Sequence, residues 1–289
     1  MRSDLNSAAF KALLAEPAVR AVSFDVFDTA LIRTFACPTD LFAELGSTLV
    51  ARRLATLAPE RFAHLRVQAE IQARRQRPED EPRLSEIYAV LAQRLDWSDE
   101  QRIAAELLEI SLECSAMVAV PHVRAWIDAA RSARLPVAFV SDMYLPASVV
   151  RSMLTDQGLA RPEDVVLVSC EFRETKARGD LFDRLLEELD LPPDQVLHIG
   201  DHPHSDGTVP RAKGFRTLAV RDTALGFCEQ RLLAYRHDTA GLSGRLAATA
   251  RLARLTCVAP GADPALGEIG ASLLGPWLTC FALWMFERA

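Results

Sequence analysis

Lysine is nearly absent from this chain. Of its 289 residues only Lys11, Lys176 and Lys213 are lysines, and every other basic residue is Arg or His. A lysine that falls inside a motif is therefore hard to ascribe to chance. Net positive charge is lacking as well. The formal charge of -6 argues against a general binder of nucleic acid or anionic membrane, and an anionic ligand would depend on local positive charge or a metal. Paired cysteines are missing. Cys37, Cys114, Cys170, Cys228, Cys257 and Cys280 include no Cys-x-x-Cys, which counts against a zinc site and against a disulfide framework in a chain this long. They are read as reduced and mostly buried. Met1 to Asn6 carries Arg2 and Asp4 but no apolar signal core, so a cytoplasmic location is expected. Internal repeats and low-complexity tracts are also absent. What remains is ordinary globular composition, 49% hydrophobic and 25% charged, enough for one large or two small domains with a sizeable core.

The most informative stretch is residues 20 to 33, which reads Arg-Ala-Val-Ser-Phe-Asp-Val-Phe-Asp-Thr-Ala-Leu-Ile-Arg. The run Ala21, Val22, Ser23, Phe24 has the apolar character of a parallel strand buried on both faces, and Asp25 follows it at once. The carboxyl end of such a strand is where open α/β sheets bind their ligands. Three later segments extend the pattern. Val137 to Val140 is a second apolar run ending in Ser141 and Asp142; Glu174-Thr175-Lys176 precedes a helical stretch from Gly179 to Leu189; Val196 to Gly200 is a third run, ending in Asp201, with Asp206 five residues on. Taken singly, each has a plain explanation as a helix cap or surface residue. Together they offer carboxylates for a divalent cation, a hydroxyl donor, and a point positive charge for a phosphate-like anion.

In order and spacing these four segments resemble the haloacid dehalogenase-like (HAD) hydrolase superfamily over about residues 20 to 220. The resemblance implies Asp25 as covalent nucleophile, Ser141 as a hydrogen-bond donor to the transferring group, and Lys176 as the motif lysine. It also implies a Mg²⁺ site made of Asp25, the backbone carbonyl of Phe27, Asp201 and Asp206. The phrases Phe-Asp-Val-Phe-Asp-Thr and Ser-Asp-Met-Tyr-Leu-Pro look like a narrower subgroup of hydrolases associated with glycosyltransferases of surface-polysaccharide synthesis. One position departs from the phosphatase pattern. Phe27 stands where such enzymes carry a second Asp as general acid and base, and Phe cannot move a proton. Asp28, at the usual Gly position, is expected to point elsewhere. General acid–base help is worth roughly 10²–10⁴-fold, so a substrate with a good leaving group would tolerate Phe27 better than an alkyl phosphate.

Strand-like runs near 20–25, 136–141, 165–169, 195–199 and 215–220 alternate with helical stretches, which predicts a parallel sheet built from βαβ units. The first two runs are too far apart for a simple crossover. Residues 36 to 120 between them read as helical, with Leu41, Leu45, Leu49 and later Ile103, Leu107, Ile110 as apolar faces, a helix start at Pro38-Thr39-Asp40 and a loop from Arg74 to Pro82. An insertion there is what the superfamily calls a C1 cap, which favours small-molecule substrates. The expected architecture is thus a Rossmann-like core (15–35 and 121–222), a helical cap (36–120) and a C-terminal helical extension (223–289). Within the extension a break is expected at Pro260 to Pro264, followed by an apolar segment, Leu273 to Phe286, that at about 14 residues and with Pro276 is too short for a membrane span of about 20. An additional domain or protein contacting 273–286 is expected to cover it.

The expected function is Mg²⁺-dependent hydrolysis of a small phosphorylated metabolite, such as a sugar or polyol phosphate, with Arg33, Asp142 and Tyr144 as substrate contacts. His202 and His204 could favour a transition metal, although exposed loop histidines are the plainer reading. Two alternatives stand beside it: a metal-independent dehalogenase in which Asp25 attacks carbon, and a catalytically weak module of a glycosyltransferase assembly.

Overall fold

The computed structural model describes residues 2–78, 80–239, 241–257 and 263–288. Five strands form a parallel sheet: β1 (Ala21–Phe24), β4 (Val137–Ser141), β5 (Val165–Val168), β6 (Val196–Gly200) and β7 (Arg216–Ala219), in the order β5-β4-β1-β6-β7. Two further strands, β2 (Leu31–Arg33) and β3 (Met117–Ala119), pair antiparallel in a separate ribbon, Ile32 opposite Val118. The helices are α1 (Arg2–Leu14), α2 (Asp40–Ala51), α3 (Pro59–Gln76), α4 (Leu84–Leu95), α5 (Asp99–Ser115), α6 (Pro121–Ser132), α7 (Ala147–Asp156), α8 (Ser169–Phe172), α9 (Asp180–Leu189), α10 (Val209–Ala212), α11 (Phe227–Ala234), α12 (Leu242–Thr256), α13 (Pro264–Ile269) and α14 (Gly275–Phe286).

The sheet is covered on both faces, as an all-parallel sheet must be. Alternate residues divide between two apolar layers. Val22, Phe24, Val137, Phe139, Leu197 and Ile199 face one core, whereas Ala21, Ala138, Val140 and Val196 face the other with Leu181, Phe182 and Leu185 of α9. Chain direction reverses its winding at β1, with β4 on one side and β6 on the other. The crevice at the carboxyl ends of these three strands is the place where such sheets bind ligands.

Residues between the β2–β3 ribbon strands fold as four helices, α2 to α5. The ribbon closes the neck of this insertion, and Thr34 N–H to the Ala116 carbonyl (2.8 Å) and Val120 N–H to the Ala30 carbonyl (3.0 Å) extend it. Leu41, Leu45 and Leu49 are buried as the spacing predicts. The face of α5 differs. Of the expected face Ile110 packs against the core, but Ile103 and Leu107 are exposed, and the buried positions are Ala105, Leu108, Glu109 and Glu113. The reason is charge pairing. Arg66, fully buried, donates to both Glu109 oxygens (2.8 and 2.6 Å), and Arg33 Nε donates to Glu113 (3.0 Å). Arg66 also stacks on Phe42 at 4.5 Å and on Tyr144 at 5.0 Å. The loop expected from Arg74 begins later, because α3 runs to Gln76 with Arg74 held by Glu70 and Glu81.

In the C-terminal part, the predicted break at Pro260 to Pro264 lies largely outside the described residues; Asp263 caps the helix that follows, accepting from Ala265 N–H at 2.9 Å. The apolar segment is longer than expected. Ala265 to Phe286 is a single helical run of 22 residues, long and apolar enough to cross a membrane, so the argument from length against a span fails. Pro276 does not stop it, because a π turn over Gly270–Leu274 precedes α14 and widens the helix just before the ring. Trp277, Leu278, Phe281, Trp284 and Phe286 are exposed. The cysteines are all free, but only Cys170 is buried, against the expectation that most would be.

Removing one partner of a buried ion pair leaves the other charge stranded, at a cost of about 3–5 kcal/mol. Arg66→Ala should therefore lose about that much stability in urea unfolding. Arg66→Met combined with Glu109→Leu should recover most of it; equal loss in the single and double variants would contradict the pairing.

Candidate active site

Asp25 follows β1 directly, its N–H donating to the Ile199 carbonyl of β6 at 2.8 Å. Ser141 ends β4 and Asp201 follows β6. The loop after α8 turns twice through left-handed backbone, at Arg173 (φ 58°) and Gly179 (φ 92°), and carries Lys176 back over the sheet edge. Its ammonium donates to Asp25 Oδ1 and, at 2.6 Å, to Asp206 Oδ1. Asp25, Lys176 and Asp206 are all buried. Among the described residues Asp25 Oδ2 has no hydrogen-bond partner.

Asp206 belongs to a π turn, Pro203–Thr208, and is drawn in from three sides. Besides Lys176 it accepts from His202 N–H at 3.0 Å and from His198 Nε2 at 3.2 Å. A carboxylate cannot donate, so His198 carries its proton on Nε2, and Nδ1 accepts from the Ser23 hydroxyl at 2.8 Å. His198 lies fully buried in β6 against Phe182, and burial lowers its pKa, keeping it neutral. Sequence reading missed this residue, which looks like one more position in an apolar strand. Gly200 is needed for a related reason. A Cβ there would meet Asp206 Cγ at 2.4 Å, so the glycine makes room for a side chain of the chain itself rather than for a ligand.

One oxygen from each of Asp25, Asp201 and Asp206 lies within 4.8 Å of the others. Such crowding is costly without a cation. Burial, together with Asp206 and Asp201, pushes Asp25 up to about 8 despite Lys176. Burial and Asp28 push Asp201 up to about 7. Asp206 responds oppositely: burial would raise it, but Lys176 and His198 hold it well below the usual carboxylate range. Lys176 itself is held above its ordinary value by Asp25 and Asp206, against the effect of burial. The donor set is all oxygen, which suits a hard divalent cation such as Mg²⁺ in place of those protons. His202 and His204 stand outside this set. His202 Nδ1 accepts from Ser205 N–H at 3.2 Å, and His204 is exposed.

Ser141 Oγ is fully buried and has no hydrogen-bond partner among the described residues. Such an orphan is costly unless a ligand oxygen satisfies it. Asp142 and Tyr144 both make contacts within the protein. Asp142 accepts from Lys176 N–H (2.8 Å) and Ala177 N–H (3.3 Å), so it braces the lysine loop. Tyr144 is buried against Arg66. Phe27 turns its ring under the Arg33 guanidinium at 4.7 Å. Asp28 differs from expectation. In a left-handed backbone (φ 56°), it lines the same cavity as Asp201. That cavity, about 210 Å³, is bounded by Asp28, Arg33, Phe35, Asp201, Ala224 and Arg251 among others. Arg251 comes from α12, far beyond the last motif, and carries no local signal that would mark it.

The family profile for haloacid dehalogenase-like hydrolases matches residues 19–209. The chain belongs to that family. A search of curated proteins returns no match. Among solved structures, a 2-haloacid dehalogenase from Pseudomonas syringae pv. tomato is similar at 17% identity, covering 69% of this chain and 85% of its own, with a TM-score of 0.52. A defluorinating L-2-haloacid dehalogenase shares 18% identity over 70% and 82% of the two chains, with a TM-score of 0.50. A protein described as a predicted phosphoglycolate phosphatase from Haemophilus somnus shares 15% identity over 70% and 85%, with a TM-score of 0.46. At these identities the likeness shows the HAD fold alone. The chain is accordingly an enzyme of the HAD hydrolase family, its sheet edge carrying the acid cluster.

Gly200→Ala should displace Asp206 and abolish the stabilisation by Mg²⁺, which reaches about 2.7 kcal/mol at a hundred times Kd and is read as a rise in melting temperature. Gly207→Ala is the control, since a Cβ there meets nothing within 4 Å. A full Mg²⁺ response in Gly200→Ala would show that Asp206 placement does not matter to the cation.

Proposed function

We propose that the protein is a Mg²⁺-dependent phosphohydrolase of small phosphorylated metabolites, acting through an aspartyl-phosphate on Asp25. The observation that carries this reading is the lysine bridging Asp25 and Asp206 beside Asp201, with the unpartnered Ser141 hydroxyl at the next strand end. Asp25, Asp201, Asp206 and the Phe27 carbonyl would hold the cation, whose charge would draw in a phosphate and screen it from the carboxylates.

The chain's own groups have distinct tasks. Lys176 holds Asp25 by Oδ1, leaving Oδ2 as the oxygen that attacks phosphorus in line. The bond to the leaving oxygen breaks as the aspartyl bond forms, and water then cleaves the acyl phosphate. Lys176 and Ser141 stabilise charge on the non-bridging oxygens. The helical insertion acts as a cap, excluding water and limiting the size of the substrate. The dehalogenases among similar structures have the fold in common and supply no argument for carbon as the electrophile. The acid cluster supports the phosphate reading over a metal-independent one.

Phe27 shapes the specificity. With an apolar ring where the usual acid–base Asp would stand, the leaving group receives no proton from that position. Aryl and acyl phosphates are therefore the favoured esters. Wild type should release phosphate from an aryl phosphate only with Mg²⁺, and Asp25→Asn should abolish release. Phe27→Asp should raise turnover of alkyl phosphates by about 10²-fold while changing the aryl ester little. A folded protein that releases no phosphate from aryl, acyl, sugar or polyol esters would overturn the proposal.

A further inference from the structure

Arg251 is a buried cation whose pairing is incomplete. It reaches from α12 into the wall of the 210 Å³ cavity and is only 5% exposed. Its Nη2 donates to the carbonyls of Arg33 (2.9 Å) and Phe35 (2.8 Å), which fixes the guanidinium against the strand leading into the insertion. Its closest carboxylate, Asp28, stands at 3.5 Å, the long limit of a hydrogen bond. Its Nε is buried with no partner among the described residues. Arg33, on the same cavity wall, contrasts with it, because Glu113 meets Arg33 at 3.0 Å from outside the cavity. Burial lowers the pKa of Arg251 and neighbouring Asp28 and Glu229 do not offset that, whereas the compensated Arg33 is raised. A buried charge is normally paired and fully hydrogen-bonded. The long contact from Nη1 to Asp28 lies on the wall of a cavity that also touches Asp201, so Nη1 is the donor left for a ligand there.

We infer that Arg251 recognises a second oxyanion, a carboxylate on the leaving-group side of the substrate, so that the enzyme takes compact phosphorylated acids in preference to neutral sugar or polyol phosphates. The inference rests on the phosphohydrolase reading and narrows its substrate class. Size agrees with charge. The cavity, about 210 Å³, has room for a short-chain acid. Nη2 spends its donors on the two backbone carbonyls, which holds the guanidinium in place before the substrate arrives and leaves Nη1 to meet a carboxylate oxygen. Phe35, Ala36, Pro38 and Ala224 supply the remaining wall.

The test measures binding, with Mg²⁺ present, of two non-hydrolysable probes of similar size by calorimetry: phosphonoacetate, which carries the carboxylate, and 2-hydroxyethylphosphonate, which does not. Wild type should bind phosphonoacetate at least about tenfold more tightly, the scale of one hydrogen bond to a charged group. Arg251→Gln should erase that preference and Arg251→Lys should keep part of it. Because Arg251 also ties backbone, a second variant leaves it in place. Ala224→Glu, at an exposed position on the cavity rim, should weaken phosphonoacetate selectively by repulsion. Equal affinities in wild type, or a preference that survives both Arg251→Gln and Ala224→Glu, would overturn the carboxylate subsite while leaving the phosphate site standing. Failure to bind either phosphonate would overturn the subsite together with the phosphohydrolase reading.

Discussion

The contact on which the rest of the site depends is the buried ammonium of Lys176 between Asp25 and Asp206. Three carboxylates at the edge of a parallel sheet repel one another in a medium that screens poorly, and one lysine offsets only part of that charge. The remainder sets the character of the site. Asp25 and Asp201 hold protons more tightly than exposed acids do, and a divalent cation would relieve the same strain without protonating either. Much of the surrounding structure exists to keep Lys176 in place. Asp142 grips the backbone of its loop, the positive φ values at Arg173 and Gly179 turn that loop, and His198 with Ser23 fixes Asp206 from within the sheet.

Those supports explain which parts were legible beforehand. The strand-end acids announce themselves because a parallel strand covered on both faces is a short apolar run, and a charge at its end breaks the pattern. Ser141, Lys176, Asp201 and Asp206 were readable in this way, and the structure brings them to one edge. His198 was not. It sits inside such a run and its partners, Ser23 and Asp206, are set by strand register and by a π turn, neither of which leaves a local signal. Asp142 was legible as a polar strand-end group but not as a brace, since its partners lie 34 and 35 residues later.

The same limit applies to the insertion. Apolar spacing placed helix α5 correctly but was right on its face only at Ile110, since Ile103 and Leu107 are exposed and two glutamates are buried. Periodicity assumes that buried means apolar. That fails where a guanidinium from another element enters the core, as Arg66 and Arg33 do, because a paired charge can replace an apolar side chain there at little net cost. The apolar C-terminal helix was misjudged for a different reason. Pro276 reads as a stop, but a proline one position into a helical turn that follows a π segment has no clash to resolve.

Arg33 and Arg251 show how the pieces converge. Residues 25 to 36 contain Asp25, Phe27, the first ribbon strand and the entrance to the insertion. Glu113 of the insertion clamps this segment from one side through Arg33, and Arg251 of the C-terminal extension clamps its backbone from the other. A change in either neighbour therefore reaches the cavity beside Asp201 through a single short strand. The extension lies outside the stretch matched by the family profile, yet it supplies a wall of the cavity. The site in this chain is thus divided. The sheet edge contributes the acid cluster, while Arg33 of the ribbon and Arg251 of α12 line the cavity beside it.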